Sequence, residues 1–241
     1  ILSSPSVGAT ETTMMAATSA RGETEILNAA REPEVADLAA CLNAMGAKIE
    51  GAGTHRIIIE GDTAWRAAAH HIIPDRIEAG TYAVAAAITG GALELVNARM
   101  ENLAAVIQAL EVMGVNVWPS DRGLVVSRNA PLRTADLTTE PYPGFPTDLQ
   151  AQFMALACCA EGTSLFRETI FENRFMHVPE LTRLGADISL QGTTAVVRGG
   201  RPLKGAQVMA TDLRASVCLV LAALAAEGET VINRVYHIDR G

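Results

Sequence analysis

Two pentapeptides in this chain set a carboxylate at the start of an apolar stretch: Thr147-Asp148-Leu149-Gln150-Ala151 and Thr211-Asp212-Leu213-Arg214-Ala215. The first follows Pro141-Tyr142-Pro143-Gly144-Phe145-Pro146, where three prolines and a glycine stiffen the approach. After it, Leu149 to Ala160 is an almost uninterrupted apolar run of good helix formers, so a helix begins at Thr147 or Asp148. A carboxylate held there can cap the helix and favour its dipole, or it can face a ligand. Because the two pentapeptides match closely, their helix starts are expected to converge around one axis. Converging helix N-termini form an electropositive centre suited to phosphate or carboxylate ligands.

The elements that must hold these residues recur along the chain. Each copy reads as an apolar helix, a glycine, an alternating strand, a second helix, a second glycine and short strands. The glycines that close the first helices, Gly22, Gly91, Gly162 and Gly228, lie 69, 71 and 66 residues apart. Those that close the second, Gly46, Gly114 and Gly185, lie 68 and 71 apart. A period near 70 exceeds that of the usual solenoid repeats and indicates a compact α/β unit used several times. Strands are expected at 23–27, 48–50, 57–59, 93–96, 115–117, 124–126, 187–190 and 195–197, giving mixed sheets with helices packed on them. The polar, Ala-rich connector from Asp62 to His71 marks a domain boundary, and the next copy begins at Pro74.

Bulk properties narrow the function. The chain has 241 residues, 49% of them hydrophobic, enough for real cores and for two domains. With 19 basic against 27 acidic residues, net charge −8, and the basic residues scattered singly, non-specific nucleic-acid binding is disfavoured. The longest clean apolar runs, such as Val217 to Ala226, fall short of the ~20 residues a membrane-spanning helix needs, so a soluble protein is expected. Cys41, Cys158, Cys159 and Cys218 form no C-x-x-C pair and have no histidine at ligand spacing, so they read as small core residues and no metal site is expected. Ile1 in place of methionine, and Gly241 directly after Asp239-Arg240, read as cut ends.

Seven segments taken together carry a resemblance. They are Ser6-Val7-Gly8-Ala9-Thr10-Glu11, Asn28-Ala29-Ala30-Arg31-Glu32-Pro33-Glu34, Pro74-Asp75-Arg76-Ile77-Glu78-Ala79-Gly80-Thr81, Phe145-Pro146-Thr147-Asp148, Phe171-Glu172-Asn173-Arg174-Phe175, Ala210-Thr211-Asp212-Leu213-Arg214-Ala215 and His237-Ile238-Asp239-Arg240-Gly241. In this order they resemble the bacterial UDP-N-acetylglucosamine 1-carboxyvinyltransferases, within the EPSP synthase/enolpyruvyltransferase family. The resemblance covers nearly the whole chain. It implies an α/β fold of the inside-out α/β barrel type: two domains of repeated βαβαββ units, both incomplete here. Residues 1–73 would be the last unit of the UDP-sugar-side domain, and residues 74–241 most of the second domain, truncated at its C-terminus. The implied reaction transfers the enolpyruvyl group of phosphoenolpyruvate to the 3′-hydroxyl of UDP-N-acetylglucosamine and releases phosphate. It is a cytoplasmic step committed to peptidoglycan synthesis, with no cofactor.

By the same resemblance, Asp148 contacts the sugar hydroxyl and takes its proton. A free aspartate titrates near ~3.9, far below a sugar alcohol, so it helps only if proton removal is concerted with attack. Arg240 engages phosphoenolpyruvate and Arg214 lies beside the same anion, a task for which a guanidinium fork is suited as an ammonium is not. Asp212 sits near the reacting centre. Ser6, Val7 and Gly8 hold the uridine nucleotide, and Ile170 is an apolar nucleotide contact; Ser4-Pro5 stands where other members carry a lysine. Glu172, Asn173, Arg174 and His177 read as residues that support the site from behind or hold the structure, and not as catalytic ones. The family's Lys-Asn pair for phosphoenolpyruvate and its loop bearing a cysteine or aspartate acid precede the Ser6 segment and are not in this chain, so the chain is expected to need the N-terminal part and to be inactive alone. Two alternatives are the sister transferase acting on shikimate 3-phosphate, against which the Ser6–Thr10 and Arg31-Glu32-Pro33 segments argue, and a paralogue that binds the sugar nucleotide without chemistry.

Overall fold

A computed structural model describes residues 1–238; residues 239–241 and the side chains of Arg214 and Ala215 lie outside the description. The chain divides into two compact units, residues 1–73 with 141–143, and residues 74–140 with 144–241.

In the first unit, helix α1 (Val7–Ala17) leads to strand β1 (Glu23–Leu27), helix α2 (Pro33–Ala44), and strands β2 (Lys48–Glu50) and β3 (Arg56–Glu60). Pro33 opens α2, where its missing N–H costs nothing. The sheet order is β1-β3-β2 with β3 antiparallel to both neighbours. Alternation along β3 turns Ile57 and Ile59 inward and leaves Arg56 and Glu60 exposed. Met14, Ile26, Val35 and Ile49 complete this core. Residues 61–75 contain no helix or strand.

The second unit repeats that order. Helix α3 (Arg76–Thr89), strand β4 (Ala92–Val96), helix α4 (Ala104–Val112), and strands β5 (Asn116–Ser120) and β6 (Gly123–Ser127) give the sheet β4-β6-β5. The next copy comprises strand β7 (Leu137–Thr138), helix α5 (Gln150–Cys158), strand β8 (Gly162–Arg167), helix α6 (Val178–Arg183), and strands β9 (Asp187–Gln191) and β10 (Thr194–Gly199). Its order, β7-β8-β10-β9, is the same three-strand pattern with β7 added parallel to β8. Strands β11 (Gln207–Met209) and β12 (Val231–Asn233) are likewise parallel and joined through helix α7 (Leu213–Ala225). Parallel neighbours need such a crossover. The leading strands β7 and β11 turn helix–strand–helix–strand–strand into βαβαββ, a step not read from the residues themselves.

Helices α3, α5 and α7 pack against one another at the centre of this unit. Every residue of α5 is buried, as an apolar run without a polar stripe requires. Close approach depends on small residues: a Cβ at Gly80 of α3 would lie 2.4 Å from Cδ1 of Leu149. That contact sets the start of α5, and with it Asp148, against the first turns of α3.

Candidate active site

Asp148 is the middle residue of a 3-10 turn, Thr147–Leu149, that leads into α5. The cap positions of the turn and of α5, Pro146 and Leu149, make no side-chain cap hydrogen bond. Oδ1 of Asp148 accepts from Nη2 of Arg174 at 2.6 Å. The two side chains are 34% and 19% exposed, so the pair is half-withdrawn from water yet reachable by a ligand. Arg174 also lies over the Phe171 ring, 4.8 Å from its centroid, in a cation–π contact. From α5, Nε2 of Gln152 donates to the Asp148 carbonyl at 2.9 Å and to Thr81 Oγ1 of α3 at 3.3 Å.

Beneath the pair lies Glu168, only 3% exposed. Its Oε1 accepts from Thr139 Oγ1 at 2.9 Å, from the Ile170 N–H at 2.9 Å and from the Phe171 N–H at 3.1 Å. Its Oε2 accepts from Thr147 Oγ1 at 2.9 Å. A buried carboxylate is tolerated when hydrogen bonds replace its lost hydration, as these four do. Ile170, at 36% exposure, projects from the turn that Glu168 secures. A cavity of about 600 Å³ opens here, lined by Glu168, Phe171, Arg174, Phe175, Leu190 and Thr193 among others.

His177 is fully buried, and neither ring nitrogen has a hydrogen-bond partner among the described residues. Burial pushes its pKa down to about 4, partly opposed by the charge of Asp212 and reinforced by that of Arg174. Asp212 and Arg174 thus act on one imidazole, which ties Asp212 electrostatically to the Asp148 cluster. The Asp212 backbone is fixed by Ser216, whose N–H donates to its carbonyl at 3.2 Å, while the Asp212 N–H donates to Ser216 Oγ at 3.3 Å. Arg214 occupies the first turn of α7, its side chain outside the description, and Arg240 lies beyond the described residues.

Ser6, Val7 and Gly8 belong to the first unit. Ser6 is the N-cap of α1, its Oγ accepting from the Ala9 N–H at 3.3 Å, and Val7 and Gly8 form the first turn, where backbone N–H groups lack helical partners. A Cβ at Gly8 would meet nothing within 4 Å, so the backbone there is open to close approach. Buried Thr10 ties this helix to the Asn28–Glu34 segment, its Oγ1 accepting from the Ala30 N–H at 3.0 Å. Among the described residues no group of three or more His, Cys, Asp or Glu could hold a metal ion, and no helix is long and apolar enough to cross a membrane. Burial pushes the Cys158 thiol up to about 12, and the Cys159 thiol up to about 11 against the opposing charge of Arg128. Cys218, fully buried, is also raised.

The family model for EPSP synthase (3-phosphoshikimate 1-carboxyvinyltransferase) matches residues 2–241. The chain belongs to the EPSP synthase family. Within that family it is 81% identical over 241 residues to UDP-N-acetylglucosamine 1-carboxyvinyltransferase 2 of Mesorhizobium japonicum, and 61% identical to UDP-N-acetylglucosamine 1-carboxyvinyltransferase of Gluconacetobacter diazotrophicus. All of the chain is covered in both cases, but only 58% and 57% of the relatives, so it spans a little over half the length of these family members. The enolpyruvyl transferase NikO from Streptomyces tendae superposes with a TM-score of 0.86 at 30% identity, covering 98% of this chain and 56% of that one. EPSP synthase from Acinetobacter baumannii, at 20% identity and a TM-score of 0.70 over 96% of this chain and 57% of that one, shares the fold. The mixed α/β architecture expected from the sequence is therefore that of the enolpyruvyl transferases.

For this family member, the structure brings Asp148 together with Arg174, which the sequence offered as a residue supporting the site or a structural one. It also reveals Glu168, which the sequence reading passed over. The signal for Arg174 was available: Asn173 takes a left-handed φ of +57°, a conformation asparagine tolerates, and so turns the chain just before the arginine. Glu168 had no such signal, being one glutamate directly after a strand.

Proposed function

We propose that the chain is part of an enzyme that transfers the enolpyruvyl group of phosphoenolpyruvate to the 3′-hydroxyl of UDP-N-acetylglucosamine, releasing phosphate, in cytoplasmic peptidoglycan synthesis. The observation that carries the reading is 81% identity, over every residue of the chain, to a relative of that name. The geometry of Asp148 supports it. A carboxylate held by Arg174 at the start of α5 can take the proton of a sugar O–H, which leaves as the sugar oxygen attacks the carbon bearing the phosphate. The new C–O bond replaces the bond to phosphate, which departs as inorganic phosphate. Arg214 and Arg240 are assigned to the anion, Asp212 to the reacting centre, and Ser6, Val7, Gly8 and Ile170 to the nucleotide. On this reading residues 1–73 are the last repeat of one domain and 74–241 most of the other.

The test is the full-length protein carrying Asp148→Asn. Phosphate release with both substrates is expected to fall by about 10²–10⁴-fold, the contribution of a placed base, while UDP-sugar binding persists. Turnover at the wild-type rate would overturn the assignment of Asp148. A wild-type enzyme that binds UDP-N-acetylglucosamine without consuming phosphoenolpyruvate would instead identify a binding paralogue, and one that consumes shikimate 3-phosphate the sister transferase.

A further inference from the structure

The contacts around Glu168 close into a ring. Its Oε2 holds Thr147 Oγ1 at 2.9 Å, and Thr147 is the residue before Asp148. Asp148 holds Arg174 at 2.6 Å, and Arg174 stacks 4.8 Å above Phe171. The Phe171 N–H returns to Glu168 Oε1 at 3.1 Å. Both members of the ion pair are thereby referred to one buried carboxylate, one through the backbone of the 3-10 turn and the other through an aromatic face. The remaining donors anchor Glu168 itself: Thr139 Oγ1, one residue past β7, and the Ile170 N–H, on the turn that carries the apolar contact assigned to the nucleotide. The Glu168 N–H donates to the Thr193 carbonyl at 2.9 Å, between β9 and β10.

We infer that Glu168, acting through Thr147 and Phe171, is the positioning residue that sets the Asp148–Arg174 pair in its reactive geometry; this rests on the reading of Asp148 as the base. A carboxylate suits the position better than an amide. Three donors converge on Oε1 and one on Oε2, whereas glutamine offers a single acceptor oxygen and would place N–H donors against the Thr147 hydroxyl. Glu168 touches neither the sugar nor the transferred group in this scheme, so its loss is felt as misplacement of Asp148.

The experiment uses the full-length protein with Thr147→Val, which removes one hydroxyl from the ring at nearly constant shape, because Glu168→Leu could simply fail to fold. Expected for Thr147→Val is a fall in kcat on the order of 10²-fold, as a misplacement of about 1 Å produces, with KM for both substrates within about 3-fold of wild type. Thr147→Ser, which restores the hydroxyl, is expected to recover most of the rate, and Glu168→Gln to fall between. Asp148→Asn is measured alongside. If Asp148→Asn is inactive while Thr147→Val turns over like wild type, the positioning role is overturned and the base assignment survives. Equal losses in Thr147→Val and Thr147→Ser would also overturn the role, since the hydroxyl would then be immaterial. An active Asp148→Asn would overturn the reading beneath both.

Discussion

Replacement of Arg174 separates the charge it supplies from the shape it imposes. The guanidinium meets Asp148 at 2.6 Å, with the two side chains 19% and 34% exposed. At an effective dielectric of about 20 and about 4 Å between charge centres, the gross attraction is ~4 kcal/mol. Solvent reaches both partners, and desolvation offsets part of the gain, so a net ~1–2 kcal/mol is left. The stack on Phe171 adds about 0.5–1 kcal/mol. Arg174→Ala is therefore expected to destabilise the second unit by about 2 kcal/mol, and at roughly 2–4 °C per kcal/mol its melting temperature should drop by about 4–8 °C. Arg174→Lys keeps the charge but loses the planar fork and the stack. It should lose about half as much stability while losing nearly as much kcat, because Asp148 would no longer be held in one orientation. Thermal unfolding and phosphate release by the full-length protein read the two quantities. A lysine variant with wild-type kcat, or an alanine variant with an unchanged melting temperature, would refute the reasoning.

Other expectations follow from the same structure. Gly199→Ala should abolish stable folding of the second unit or cost more than about 3 kcal/mol in urea unfolding, because its Cβ would lie 2.2 Å from the backbone carbonyls of Ala157 and Ala160. Unfolded His177 binds a proton below about 6.5, whereas the buried ring resists one until about 4, so this site contributes a stability that is present above 6.5 and lost as pH falls through that window. The gap corresponds to about 3 kcal/mol, and His177→Phe should flatten the stability profile between pH 4 and 6.5. With their thiols raised by burial, Cys158, Cys159 and Cys218 should resist a disulfide reagent at pH 8 in the native protein and react once it is denatured; rapid native labelling of Cys158 would contradict its burial.

Much of the fold was legible because its determinants are local. The apolar run into α5, the β-branched run Ile57-Ile58-Ile59, and the glycines that recur about every 70 residues each mark an element or its surroundings within a few residues of chain. Strands β7 and β11 escaped because they are set by parallel pairing with β8 and β12, a long-range contact that no local pattern marks. The start of α5 was likewise readable, although Asp148 turned out to sit in a 3-10 turn, its carboxylate engaged by Arg174.

What the chain determined by itself is a set of local features: an aspartate at a helix start, a matching one 64 residues later, and arginines following the second. Tertiary structure decided which of these side chains has which neighbour. Arg174 reaches Asp148 across 26 residues, and Glu168 reaches Thr147 across 21 and Thr139 across 29. Bonds between side chains so far apart depend on the packing of β7, β8 and α5. No periodicity encodes them, since a hydrogen bond is decided by tenths of an ångström and sequence patterns resolve only faces and turns.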